Sequence, residues 1–129
     1  MSEKINVMLT TENREQIQMA AMVASVGAVS GNDVCVFLSM NALKYFVKGN
    51  DHKAPVAGNM GTTMQEKNVP PFLELFEQAV ELGDAKIYPC SMAMDMLEIK
   101  SEDLFDYVGE PMGLTKFISD VNQGQVWSF

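Results

Sequence analysis

A chain of 129 residues fits one domain and is long enough to bury a substantial core without disulfide or metal staples. Its 47% apolar content excludes a disordered chain, and no apolar run reaches the length that spans a bilayer. A net charge of -8, with only 9 scattered Lys and Arg, leaves no basic patch for nucleic acid or an anionic membrane. Such a surface suits solubility or a basic protein partner.

Met1-Ser2-Glu3-Lys4 leads directly into Ile5-Asn6-Val7-Met8-Leu9, which is too short and too polar-interrupted for a signal peptide, so the expected location is the cytoplasm. The same run reads as a first buried strand. Thr10-Thr11-Glu12-Asn13 supplies cap residues for a helix over 14–29, whose Ala20, Ala21, Ala24, Gly27 and Ala28 let it lie close on a sheet. No dinucleotide or P-loop glycine motif marks the intervening turn, and no cofactor is expected. Gly31-Asn32-Asp33 is a turn, and Val34-Cys35-Val36-Phe37-Leu38 is a second strand, apolar throughout and therefore covered on both faces. Ser39-Met40-Asn41 caps a short helix to about residue 47.

Residues 49–70 form a long irregular segment, part of it helical, with Met60, Met64, His52, Lys53 and Lys67. Segments of this length serve as lids, binding loops or oligomer contacts. His52 reads as a solvated loop residue rather than a base, while Lys53 and Lys67 are candidates to place positive charge near a thiolate. Pro70-Pro71 opens the next helix, whose stripe is Phe72, Leu75, Phe76, Ala79 and Val80, and Gly83 is its expected stop. Lys86-Ile87-Tyr88-Pro89 is a strand ended by a proline that lacks an amide hydrogen. Cys90 follows at once. Met92, Met96 and Ile99 then share one face of a helix at i, i+4 and i+7. Ser101-Glu102-Asp103 caps a helical turn near 104–107, a helix covers 114–121, and Gln125-Val126-Trp127-Ser128-Phe129 is a last, alternating strand.

Alternating strands and helices give an α/β fold: a single domain over 1–129, with a mainly parallel sheet and helices on both faces. Ligand sites of such sheets lie at the C-terminal ends of the strands. Cys90 falls on that edge, whereas Cys35 lies mid-strand and reads as inert core. A thiol at a helix N-terminus meets unpaired amides and the positive end of the dipole, which favour the thiolate. The bland alternative is that Cys90 is buried as a small hydrophobe, as free cysteines commonly are. Two cysteines without a CxxC pair, and one histidine, give no structural zinc site, and a structural disulfide is not expected in a reducing compartment.

Cys90-Ser91-Met92-Ala93-Met94-Asp95-Met96-Leu97-Glu98-Ile99 resembles the C-x-x-S-M-D-x-M-G-[IL] signature of the DsrE/DsrF-like family, in particular its sulfur-transfer branch. Ala93 and Glu98 depart from it, Glu98 standing where glycine is usual. Val36 through Leu43, Gly58-Asn59-Met60, Val69 through Leu75, Ser101 through Phe105, Gly113 through Phe117 and Val126 through Phe129 resemble other parts of the family pattern, so the likeness runs along nearly the whole chain. It implies a five-stranded parallel α/β fold and homo-oligomers, commonly trimers or hexamers. It also implies a cysteine that carries sulfur as a persulfide or thiosulfonate, with TusA-like sulfur carriers or heterodisulfide-reductase-like complexes as exchange partners.

The leading expectation is a sulfurtransferase or sulfur carrier with Cys90 as nucleophile. Amides from Ser91 to Ala93 would hold an anionic adduct, and Met92, Met94 and Met60, with Met64, are candidates for a soft wall around the transferred sulfur. The competing role of methionine is gap-filling, and Asp95 reads as a solvated helix residue. The alternatives are an oligomeric interaction module with an incidental cysteine and, third, a thiol peroxidase, which lacks both a CxxC and a Thr-x-x-Cys.

Overall fold

The computed structural model describes residues 3–49, 58–67, 70–121 and 124–129, so His52 and Lys53 lie outside the described residues. Strand β1 (Lys4–Leu9) and strand β2 (Asp33–Leu38) pair in parallel, from Lys4 opposite Asp33 to Leu9 opposite Leu38. Strand β3 (Lys86–Pro89) adds to the far side of β2 and strand β4 (Gln125–Ser128) to the far side of β1, both parallel. The order is β3-β2-β1-β4. Val34 through Leu38 are all buried, as a continuously apolar central strand requires.

Helix α1 (Arg14–Val29) crosses one face of the sheet, with Gly27 close against Ile5 and Val34. Helix α2 (Asn59–Glu66) falls within the irregular segment and is tied to α1 by Glu15, whose carboxylate accepts from the amides of Gly58 at 2.7 Å and Gly61 at 3.2 Å. Helix α3 (Phe72–Gly83) packs along α1. Side chains alternate along a strand, so Phe37 points away from Val34 and from α1. On that second face it stacks on Phe117 of helix α5 (Leu114–Asp120), with ring centroids 4.7 Å apart. Helix α4 (Ser91–Leu97) follows β3 directly. The segment after β2 is a 3-10 helix, Met40–Phe46, and it buries Leu43, Tyr45 and Phe46, the last in edge contact with Phe76.

The parallel α/β architecture matches expectation, with one difference. The described residues contain four strands, not five. Residues 109–112 run beside β3: Gly109 N–H donates to Ile87 O at 2.7 Å and Met112 N–H to Pro89 O at 2.9 Å. Between those two donors stands Pro111, which has no N–H, and the pairing contracts to one bridge between Cys90 and Met112. That segment shields the edge of β3 without becoming a strand.

Gly83 does not act as the left-handed stop of α3. It is the last helical residue, and Asp84 takes the left-handed conformation at φ 58°. Glycine is required at 83 by proximity, because a Cβ there would stand 2.5 Å from the Cβ of Ala28. Gly83→Ala is therefore expected to destabilise the fold by roughly 1–3 kcal/mol through overpacking of α1 against α3, read as a lower urea midpoint at unchanged slope.

Candidate functional site

Leu38 and Pro89 are register partners, so β2 and β3 end side by side. Cys90 N–H donates to Leu38 O at 2.7 Å, which extends the ladder one step past the proline. The backbone of Cys90 then turns into α4 as its N-cap, with its carbonyl accepting from Met94 N–H at 3.0 Å. No side chain caps the helix, and the Ser91 amide is used by Met112 O at 3.1 Å. The first-turn amides of Met92 and Ala93 fall outside the intrahelical ladder and carry the positive end of the dipole. Cys90 is buried at the sheet's C-terminal edge, 7% exposed and part of the hydrophobic core as Cys35 is at 9%, so place in the fold rather than burial separates the two thiols.

The other expected site residues divide. Ser91 is exposed beside Cys90, and Gly113 approaches its hydroxyl. Met92, 67% exposed, projects outward, while Met94, 6% exposed, points into the core. Met92 and Met96 do share a helix face, but it is the outer one; Ala93 and Met94 form the buried side. Ile99 lies beyond the helix end. Met60 and Met64 line a different cavity of about 490 Å³, opposite Met19 and Met22 of α1, and the structure does not bring them to Cys90. Lys67 is exposed just past α2.

A cavity of about 210 Å³ lies between the 3-10 helix and α4, lined by Met40, Asn41, Ala93, Met96 and Leu97. Ala93 and Leu97 follow Cys90 at i+3 and i+7, so the cavity runs along the side of α4 that the cysteine opens. Cys90 does not line it; it stands one turn N-terminal of the lining. Met40 holds φ at 52°, in the left-handed region that disfavours a large side chain. The signal for Met40 and Asn41 was the parallel register itself, since whatever follows Leu38 must neighbour whatever follows Pro89.

Cys35 lies opposite Asn6 in the sheet, and burial pushes its thiol up to about 11, partly offset by the positive charge of Lys4. It is protonated at neutral pH and unsuited to nucleophilic work. Among the described residues no group of three or more His, Cys, Asp and Glu converges, and no helix is long and apolar enough to cross a membrane.

Residues 47–129, the part of the chain that carries Cys90 and α4, match the DsrE/DsrF/DrsH-like family. The chain belongs to that family. The DsrE-like fold is seen again in two solved structures. The YchN protein from E. coli superposes with a TM-score of 0.67 at 18% identity, covering 100% of both chains. MTH1491 from Methanobacterium thermoautotrophicum, a protein of unknown function, superposes with a TM-score of 0.65 at 7% identity, covering 99% of this chain and 100% of its own. No curated protein matches the sequence significantly.

Glu98 occupies the position where the DsrE-like signature carries glycine, and it is the C-cap of α4 at φ 55°. Its amide donates to Asp95 O at 3.3 Å, and the next amide, of Ile99, donates to Met94 O at 2.9 Å. A glycine serves such a cap without a Cβ penalty, so Glu98→Gly is expected to stabilise the protein by about 1 kcal/mol in thermal or urea unfolding. The Cys35 thiol gives a pH signature. Its pKa is higher folded than unfolded, so the folded state binds more protons between pH 9 and about 11 and stability falls as pH rises through that window. The expected slope is about 1.4 kcal/mol per pH unit, reduced in Cys35→Ala when unfolding is followed across the same range.

Proposed function

We propose that the protein is a cytoplasmic sulfur carrier or sulfurtransferase that holds sulfane sulfur on Cys90 as a persulfide or thiosulfonate. The observation that carries this reading is the position of Cys90 in a DsrE-family chain. It is the N-cap of α4, at the C-terminal edge of a parallel sheet, where ligand sites of such sheets are found. The Cys90 thiolate attacks a sulfane sulfur, the donor's S–S bond breaks, and its electron pair leaves with the departing sulfur. The first-turn amides of Met92 and Ala93, outside the intrahelical ladder, favour negative charge on the adduct.

Met92 and Leu114 are exposed apolar residues on the elements around this edge. They support a role in docking the partner that exchanges sulfur, of the TusA-like or heterodisulfide-reductase-like kind, within a homotrimer or homohexamer. Met94 supports α4 from the core, and Met60 has no part in the reading.

The test is to treat the protein with inorganic polysulfide or tetrathionate and to locate the adduct by mass spectrometry. Sulfur addition is expected on Cys90, absent in Cys90→Ser and retained in Cys35→Ser. A thiol that takes up no sulfur, with a Cys90→Ser protein that keeps partner binding and cellular activity, overturns sulfur transfer in favour of an interaction module. A sulfenic acid formed by peroxide, without sulfur uptake, favours a peroxidase.

A further inference from the structure

We infer that the cavity between the 3-10 helix Met40–Phe46 and α4 holds the organic group of a low-molecular-weight alkyl hydropersulfide, R–S–SH, which delivers its outer sulfur to Cys90. The inference rests on the sulfur-carrier reading and names the donor class for that same cysteine. The cavity is on the side of α4 that Cys90 opens, bordered by Ala93 and Leu97, and its far wall is the turn that follows Leu38, the residue hydrogen-bonded to the Cys90 amide. Cys90 stands one turn N-terminal of the lining, so a donor seated there reaches it with its sulfur end toward the start of the helix.

The lining selects the chemistry of R. Four of the five lining residues are apolar, two of them thioethers, and the fifth is the neutral amide of Asn41. The Asn41 amide nitrogen donates one hydrogen to Glu12 at 3.3 Å, which leaves its second hydrogen and its oxygen for a ligand. Among the described residues no charged side chain lines the space, so it disfavours an inorganic oxyanion or a zwitterionic amino-acid group. A cavity of about 210 Å³ has room for a small alkyl or aryl group.

The transfer balances without any added oxidant or reductant. The Cys90 thiolate forms a bond to the outer sulfur of R–S–SH as the donor's S–S bond breaks. The electron pair leaves on R–S⁻, the hydrogen stays on the transferred sulfur, and Cys90 becomes Cys–S–SH. The Cys90 sulfur is oxidised and the R–S sulfur reduced to the same extent, and the transferred sulfur keeps its oxidation state. The thiolate R–S⁻ then takes a proton from solvent.

The experiment compares inorganic polysulfide, which has no organic group, with ethyl and benzyl hydropersulfides generated in situ, and reads the rate of Cys90 persulfidation by mass spectrometry. Two variants alter the cavity and leave Cys90 untouched. Met96→Trp fills it from the exposed rim, and Met40→Gly strips one wall while relieving the left-handed backbone at that position. Wild-type protein is expected to react about tenfold faster with an alkyl hydropersulfide than Met96→Trp does, with inorganic polysulfide changed less than twofold. Met40→Gly is expected to be at least as stable as wild type yet to lose its discrimination between ethyl and benzyl donors. Equal losses toward all donors, or rates indifferent to R and to both variants, overturn the cavity as a donor subsite while sulfur transfer stands. Failure of wild-type Cys90 to accept sulfur from any donor overturns the sulfur-carrier reading itself.

Discussion

The parallel register of β2 and β3 sets the geometry at the C-terminal edge of the sheet. Because Leu38 and Pro89 are partners, both strands stop at the same level, and the hydrogen bond from Cys90 N–H to Leu38 O pins the next residue there. Proline fits as the last strand residue because it has no donor to lose. The cysteine amide then supplies the donor that the ladder still needs, and its carbonyl starts α4. One residue thus closes a sheet and opens a helix. A shift of register by one position would turn the buried run of β2 to the opposite faces and separate the cysteine from the 3-10 helix that now neighbours it.

Much of this was legible in the sequence, and the reasons are local. Helix α1 has the bounds that its caps and small residues mark, and β3 ends at its proline. The assignment of Cys35 to the core followed from a strand apolar on both sides, and its burial agrees. The faces of α4 were not legible. Periodicity finds a helical face, but in Ser91–Leu97 methionines occur on both faces, and the smaller Ala93 is what fits against the neighbouring turn. Met60 was grouped with the thiol because it lies in a segment without pattern. The clamp that Glu15 puts on Gly58 and Gly61 draws that segment to α1 instead. Residues 109–112 bond to β3 through Gly109 and Met112 but not through Pro111, which has no N–H, and form a bridge rather than a strand.

The methionines sort by environment rather than by motif. Of the 11 in the chain, Met94 and Met112 are core, Met19, Met22, Met60 and Met64 face one another across the α1–α2 groove, and Met40 and Met96 border the cavity beside Cys90. A flexible thioether is the economical filler where two short helices meet at irregular angles, as the 3-10 helix and α4 do. The same side chains give the surroundings of the cysteine a low density of charge, in a protein whose surface is otherwise acidic.

The strand order carries a consequence for how the chain assembles. The N-terminal strand β1 is central, and one of its two neighbours is β4, so residues 5–8 find their partners only at residues 125–128. Closing a loop of that length costs entropy that no local contact repays, and topologies dominated by such distant pairings fold slowly. During synthesis residues 5–8 therefore precede their partners by more than a hundred positions, and one edge of β1 stays bare until residues 125–128 have followed.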